Sequence, residues 1–347
     1  MRSADIPTEA RANRVGWLPL AIGAVAVLAI AALGATVGAA GLDPLSVAKA
    51  VLDAIPGLSI DSGLTEIETT ILFEIRLPRV VMGAIVGAVL AVAGASYQGV
   101  FRNALADPYL LGVAAGAGLG ATVVIAATGD SRFIALFAFL GGLTAVAVTY
   151  ALGRSVGGRS ATSLILAGVA VAAFATAVQT FVLQQNVDTL REVYSWILGR
   201  LVTVGWGEVV ELLPYAVIAT LVLVLSRRLL DVLSIGDEEA GALGIDVPRV
   251  RGVIVVAATL ATAAAVSVSG LIGFVGIIVP HIIRLVFGWS YRVIIPLSIL
   301  FGAAFLMLAD VAARTLIAPA ELPIGVVTAF FGAPFFLVVL RTMRGPT

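Results

Sequence analysis

The stretch IRLPRVVMGAIVGAVLAVAGASYQGVFRNALADP, residues 75–108, decides the fold. Its central run, residues 80–101, is uncharged and long enough to cross a bilayer, because a spanning helix needs about 20 mostly apolar residues. Arg76 and Arg79 stand directly before that run, and Pro78 lies between them, where a helix can begin. The stretch therefore predicts a membrane helix with two cations at its entrance.

The whole chain has the composition of an integral membrane protein. Of its 347 residues, 60% are hydrophobic and 12% are charged, with a mean hydropathy of +1.10, whereas a soluble domain carries about 25% charged residues. The apolar runs lack the period-two alternation of outer-membrane barrel strands, so they indicate helices. We predict an all-α, multi-pass bundle of about ten transmembrane helices in a single transmembrane domain, 1–347. The predicted helices are about 17–40, 80–101, 109–128, 133–153, 161–184, 207–226, 252–269, 271–287, 293–313 and 323–340.

The positions of Lys and Arg predict which side each loop faces. With the N-terminus in the cytoplasm, cytoplasmic loops hold about twice as many of these residues as external loops, as the positive-inside rule requires. This bias needs an even number of spans and predicts that both termini are cytoplasmic, including the tail 1–16. It makes the charged loop 227–251 cytoplasmic and Arg76 and Arg79 external. From the residues alone, this pair either snorkels at the interface or binds Glu74.

Small residues recur at every fourth position in two consecutive predicted helices. The first stripe is Gly83, Gly87, Ala91 and Ala95, and the second is Gly112, Gly116 and Gly120. Such stripes let neighbouring helices approach closely, so we expect tight packing along both.

Asp310 is an acidic residue deep inside a predicted membrane helix, and such residues are candidates for function. Arg314 follows one turn later, so the two can form a neutralising (i, i+4) pair. The alternative is that Asp310 belongs to a proton or ion relay, as in a secondary transporter.

The residue inventory argues against catalysis by this chain. A P-loop needs a lysine to reach the phosphates, and the only lysine, Lys49, falls in a predicted external segment. With no cysteine and His281 as the only histidine, the chain predicts no zinc site, no bound metal and no cofactor. The net charge of zero gives no sign of a nucleic-acid partner. Any ATP-driven function would need a separate ATPase, and loop 227–251 contains a helix-compatible centre at 237–243 that could receive it.

Four stretches together resemble the permease subunits of the vitamin B12, ferric-siderophore and haem uptake family of ABC importers. They are RLPRVVMGAIVGAVLAVAGASYQGVFRNALADPYLLGVAAGAG (76–118), DEEAGALGIDVPRVR (237–251), SGLIGFVGIIVPHIIRLVFG (269–288) and ARTLIAPAELPIGVVTAFFGAPFFLVVL (313–340). The resemblance implies a homodimer of ten-helix subunits in the plasma membrane, surrounded by lipid. It also implies two ATPase subunits on the cytoplasmic face and an external substrate-binding protein.

The resemblance also assigns expected roles to individual residues. It implies docking of the binding protein at Arg76, Arg79 and Arg314, and contact with the ATPase at Glu238, Glu239, Ala240, Leu243 and Gly244. It implies a translocation path or gate lined by Gln179, Gln184, Phe330 and Phe331, and a short external gating helix within 187–206 that carries Trp196, Gly199 and Arg200.

We therefore expect a transport subunit, not an enzyme, in an ATP-driven importer of an iron chelate, with a ferric siderophore favoured as the broadest substrate class of the family. Haem and cobalamin are alternative cargoes. The alternative from a different class is an ion-coupled secondary transporter in which Asp310 carries the coupling ion.

Overall fold

The computed structural model describes residues 15–38, 41–129, 131–155, 161–201 and 205–343. In these ranges the regular elements are helices, which confirms the all-α prediction. Most of the predicted tail 1–16 lies outside the described residues. The helices are α1 (Trp17–Thr36), α2 (Pro44–Asp53), α3 (Glu66–Thr70), α4 (Leu77–Phe101), α5 (Val113–Thr128), α6 (Ile134–Ser155), α7 (Ala161–Gln185), α8 (Leu190–Ile197), α9 (Gly207–Leu225), α10 (Arg227–Ile235), α11 (Asp237–Ala242), α12 (Val247–Ser269), α13 (Val275–Phe287), α14 (Tyr291–Thr315) and α15 (Ile324–Met343).

Each of the ten predicted apolar runs contains a helix: α1, α4, α5, α6, α7, α9, α12, α13, α14 and α15. Among the described residues, seven spans are long and apolar enough to cross a bilayer, and one of them is continuous from α3 through a π-helical turn into α4. Helices α5 and α13 are shorter, and the described apolar part of α15 covers only Ile324–Val339. Ten crossings and two cytoplasmic termini therefore stay predictions.

Local backbone chemistry moves several predicted boundaries. Helix α12 begins at Val247 rather than 252, because Asp246 caps its first turn and Pro248 occupies a position where a proline favours a helix start. Helix α13 begins at 275 rather than 271, because Phe274 before it has a left-handed conformation (φ 69°). Gly112 (φ 84°) likewise precedes α5 instead of lying inside it, so only the rest of the second small-residue stripe is helical.

Tyr109 secures the non-helical break between α12 and α13. Its hydroxyl donates to the Ile272 carbonyl at 3.0 Å and accepts from the Ile272 N–H at 3.1 Å. Both backbone groups would otherwise lack a partner inside the bundle, where an unsatisfied polar group is costly. One side chain thus satisfies the irregular backbone at this position.

The small-residue stripes are sites of close helix contact, as predicted. A Cβ atom at Gly87 in α4 would collide with the backbone of Gly302 in α14, and one at Gly116 in α5 would collide with Gly141 in α6. Gly94, outside the predicted stripe, meets the backbone of α13 in the same way. Helix α4 consequently lies at the centre of the bundle, and most of its residues are buried.

The segment before α4 forms a small satellite of the bundle. Asp43 caps α2 by accepting a hydrogen bond from the Ser46 N–H at 2.9 Å. This bond stabilises the carboxylate and lowers the pKa of Asp43. The buried side chains of Leu42, Val47 and Leu72 then pack together beneath α2.

Candidate functional site

Asp310 lies between two arginines where the start of α4 meets the end of α14. Its Oδ1 accepts a hydrogen bond from Arg79 Nε at 2.9 Å, and its Oδ2 lies 3.0 Å from Arg314 Nε. The Asp310 side chain is only 3% exposed. The predicted (i, i+4) pair is confirmed, and a second cation from α4 joins it.

A second carboxylate binds the outer side of the same Arg79 guanidinium. Glu321, in the segment that joins α14 to α15, accepts from Arg79 Nη1 at 3.2 Å and from Nη2 at 2.9 Å. A bidentate pair of this kind fixes the relative orientation of the guanidinium and the carboxylate and adds to their electrostatic attraction. Glu321 is 46% exposed, whereas Arg79 is 11% exposed. The acidic partners of Arg79 are thus Asp310 and Glu321, and not Glu74 as one interpretation of the sequence had it.

The other two arginines cap the C-terminal end of α1. Arg76 Nη1 donates to the carbonyls of Ala35 at 2.9 Å and Thr36 at 2.6 Å. Arg314 donates from Nη2 to Gly34 at 3.2 Å and from Nη1 to Val37 at 3.1 Å. The last carbonyls of a helix have no partner within the helix and carry partial negative charge, so two guanidinium groups there are favourable.

These contacts define the arginine cluster: Arg76, Arg79, Asp310, Arg314 and Glu321. These five residues are three arginines and two carboxylates, so their own formal charge is +1. All three arginines proposed from the sequence are brought together, and each is largely buried. The sequence did not single out Glu321, which lies 242 positions from Arg79 and carries no motif signal beyond being an acid in a loop.

The opposite end of α4 carries a second charged junction. Arg102, which ends α4, lies 3.3 Å from Asp237 at the start of α11, and Arg251 in α12 binds the same carboxylate at 2.8 Å. Asp237 is therefore held between two helices of the bundle. Helix α4 has 25 residues, so at about 1.5 Å per residue it separates this junction from the arginine cluster by about 37 Å.

The predicted short helix in loop 227–251 is confirmed as α11. Ala240 is fully buried and fixes α11 against the core, whereas Glu238, Glu239 and Leu243 are exposed. Gly244, also exposed, has the left-handed conformation (φ 81°) that commonly ends a helix. The four exposed residues form one accessible edge.

The predicted short helix within 187–206 is also present, as α8; residues 202–204 lie outside the described part of the chain. Trp196 is buried in a core cluster, and the Arg200 N–H donates to the Ser269 carbonyl at 2.8 Å, while the Arg200 side chain is exposed. Gly199 (φ 77°) is buried, and its carbonyl accepts from the N–H of Ile324 at 3.1 Å. Helix α8 is thus joined to the beginning of α15.

The four residues proposed to line a path do not share one environment. Gln179 is buried and donates to the Thr122 hydroxyl of α5 at 3.0 Å. Gln184, near the end of α7, is exposed. Phe330 and Phe331 are exposed on α15 and contact each other edge to face, with ring centroids 5.6 Å apart. Gln184 and the two phenylalanines are therefore exposed, whereas Gln179 joins α7 to α5.

Sequence similarity to known proteins extends over nearly the entire chain. Residues 24–342 match the FecCD transport family. The chain belongs to that family. It is 39% identical over 336 residues to the cobalamin import system permease protein BtuC of Halobacterium salinarum, covering 94% of this chain and 90% of the relative. It is 38% identical over 280 residues to the hemin transport system permease protein HmuU of Yersinia pestis, covering 78% and 83% of the two chains.

A solved structure has the same fold. It is described as an inward-facing metal-chelate type ABC transporter, and the two chains superpose with a TM-score of 0.82 and 26% identity over 94% of this chain and 99% of the other. The resemblance inferred from the four stretches is therefore confirmed. The chain is a FecCD family member whose described residues include seven spans of membrane length. It is therefore a multi-pass protein of the plasma membrane and a component of a transport system.

Proposed function

We propose that this FecCD family member forms a homodimeric permease that imports an iron chelate, with a ferric siderophore as the cargo, using ATP hydrolysed by two separate subunits. The binding protein docks on the external side at the arginine cluster. The ATPase subunits bind the exposed edge of α11 on the cytoplasmic side. Nucleotide-bound and nucleotide-free states expose the path to opposite sides, which gives transport its direction.

One observation carries this proposal: a single buried helix joins both surfaces. The first turn of α4 carries Arg79 of the arginine cluster, and Arg102 at its end holds Asp237 of α11. Because α4 contacts α13 and α14 backbone to backbone at its glycines, it moves with the bundle as a rigid rod. A docking event at one end can therefore bias the conformation of the other end.

The chemistry of the chain favours a cargo that stays chelated. The relatives described above are named for cobalamin, hemin and metal chelates, all of them large complexes that hold their own metal. This chain has one histidine and no cysteine, so it offers few ligands that would compete for the metal. Selectivity then rests mainly with the binding protein. Haem and cobalamin are the alternative cargoes of the same path.

A second copy of the chain is supported by apolar surface that faces outward near the path. Phe174 and Phe181 on α7, and Phe330 on α15, are 72%, 62% and 74% exposed. Lipid can cover such a face, but a second copy placed against α7 and α15 would enclose a path between the subunits. Gln184 and Phe331 would then line it or form its gate, and α8 with Arg200 would cover its external end.

The ion-coupled alternative depends on Asp310 being able to bind and release an ion. Its carboxylate already has two arginines at about 3 Å, so it is neutralised within the protein. A coupling ion would have to displace one of them. The geometry therefore favours a structural role for Asp310.

The test is uptake by proteoliposomes that contain this chain with its ATPase and binding protein. Labelled ferric siderophore, haem and cobalamin are compared with and without internal ATP. Accumulation of ferric siderophore that depends on ATP would support the proposal, and ATP-dependent accumulation of haem or cobalamin alone would correct the cargo. Accumulation driven by an ion gradient without ATP would refute the mechanism.

A further inference from the structure

The two carboxylates on Arg79 differ in how easily they can be exchanged. Asp310 is 3% exposed and is shared with Arg314, so removing it would leave buried cations without a counterion. Glu321 is 46% exposed and binds only the outer edge of Arg79. An ion pair this accessible to solvent contributes little stability and can be replaced by another carboxylate at small cost.

The other arginines of the cluster offer no comparable exchange. Arg76 and Arg314 donate to the carbonyls at the end of α1, and those acceptors are backbone groups that cannot leave without unwinding the helix. A partner's carboxylate that approaches the cluster therefore finds one position where an acidic side chain is already bound and can move away. That position is the outer edge of Arg79.

Glu321 is tied by short stretches of backbone to the segment proposed to gate the path. Leu322, the next residue, donates its N–H to the Ala313 carbonyl at 2.9 Å. Two residues further, the N–H groups of Ile324 and Gly325 donate to the carbonyls of Gly199 and Leu198, both at 3.1 Å. Four residues of backbone therefore connect Glu321 with the contact between α15 and the end of α8.

We propose that Glu321 occupies the position on Arg79 that an acidic side chain of the external binding protein takes over on docking, and that this exchange releases the segment 316–323 that leads into α15. The inference rests on the proposed function, because it assumes docking at the arginine cluster. Beyond docking, Glu321 competes with the partner for Arg79. Displacing Glu321 frees the segment that leads into α15. Exchange keeps the formal charge of the five-residue cluster at +1, whereas docking beside Glu321 would bring a third carboxylate and reduce that charge to zero.

The first test measures the affinity of the binding protein for the permease in nanodiscs. Glu321→Gln removes the competing charge, so we expect about fivefold tighter binding, equivalent to about 1 kcal/mol. The affinity of this variant should also fall more steeply with salt between about 50 mM and about 300 mM, because docking now creates an ion pair instead of exchanging one. Glu66→Gln is the matched control: it removes one exposed carboxylate from the same predicted external side, and its binding should equal that of the wild type.

The second test follows the released segment directly. The chain contains no cysteine, so Ala320→Cys gives a single thiol for a spin label at an exposed position next to Glu321. We expect the label to be restrained in the free permease and mobile after saturation with the binding protein. In a Glu321→Gln background it should be mobile from the start. Identical mobility in all three states would overturn the proposal.

A third variant separates this inference from the docking role itself. Arg79→Lys keeps the positive charge but cannot bind a carboxylate in a bidentate way, so it should weaken docking. If neither Arg79→Lys nor Glu321→Gln changes the affinity, the docking role of the cluster is wrong. If Arg79→Lys weakens binding but Glu321→Gln leaves it equal or weaker, the cluster docks the partner but Glu321 is not its competitor. If Glu321→Gln binds more weakly than the wild type, a basic side chain of the partner contacts Glu321 directly.

Discussion

Replacing Asp310 by Asn tests whether this residue neutralises buried arginines or binds a transported ion. In the folded protein its carboxylate lies 2.9 Å from Arg79 and 3.0 Å from Arg314, and it is 3% exposed. Asn has almost the same shape but no charge. The substitution therefore leaves two guanidinium groups close together in a site from which water is largely excluded.

The expected loss of stability follows from these contacts. Removing one member of a buried ion pair costs about 3–5 kcal/mol. We expect the lower end, about 3 kcal/mol, because Arg79 keeps Glu321 and Arg314 keeps the carbonyls of Gly34 and Val37. With an unfolding entropy of about 2.1 cal/mol/K per residue over 347 residues, this corresponds to a fall in Tm of about 4 °C.

The assay is thermal unfolding of the purified permease in one detergent, with Glu321→Gln as the control. Glu321 binds the same arginine but is 46% exposed, so its loss should cost less than about 1 kcal/mol and less than about 1.5 °C. Arg314→Met combined with Asp310→Asn removes the stranded charge. The double variant should be more stable than the sum of the single losses predicts, by about 1–3 kcal/mol.

Two results would refute this reasoning. One is an Asp310→Asn protein as stable as the Glu321→Gln protein, which would mean that Asp310 does not neutralise the arginines. The other is a stable Asp310→Asn protein whose transport loses a dependence on an ion gradient, which would restore the ion-coupled mechanism. Transport by whatever fraction folds should instead remain dependent on ATP.

Three further predictions concern other parts of the bundle. Gly87→Ala should destabilise the protein by about 1–3 kcal/mol, because the added methyl group would overlap α14. Gly241→Ala is the control: a Cβ atom there has no neighbour within 4 Å, so the substitution should be neutral or stabilising. Equal Tm values for the two variants would refute the close contact at Gly87. Tyr109→Phe should deprive the Ile272 backbone of its partner and speed hydrogen exchange at residues 270–274, and unchanged exchange would contradict the role assigned to the hydroxyl. Asp237→Asn should change the free energy of unfolding by less than about 1 kcal/mol but weaken stimulation of the partner ATPase, because the ion pairs of Asp237 with Arg102 and Arg251 are lost. Full stimulation would show that the position of α11 does not depend on these two ion pairs.

The helices were predictable because the length of each apolar run can be counted in the sequence. Each apolar run contains a helix. The short α11 follows from its local pattern, and the short α8 was expected from the family resemblance. The boundaries were less accurate where one residue sets the backbone. The left-handed conformation of Phe274 shortens α13, and no local signal in the sequence announces it.

The candidate site was predictable in its cations but not in their partners. Arg76, Arg79 and Arg314 stand in recognisable motifs, and the spacing of Asp310 and Arg314 on one helix is visible in the sequence. The bond to Glu321 joins residues 242 positions apart, so it depends on how α4 and α14 pack. The burial of Gln179 against α5 was not predictable for the same reason. Packing decides which face of α7 contacts α5, and the helix period alone does not.

The arginine hydrogen bonds at the end of α1 determine when, during synthesis, this helix gains its final contacts. Helix α1 is synthesised before α4 and α14, yet the side chains that complete its last turn are Arg76 and Arg314, the second of which bonds across 280 positions. The ribosome must therefore complete α14 before α1 has both partners. Until then the helix end must be solvated at the membrane surface, and a chain truncated before α14 would present bare carbonyls that a membrane quality-control protease could recognise as incomplete.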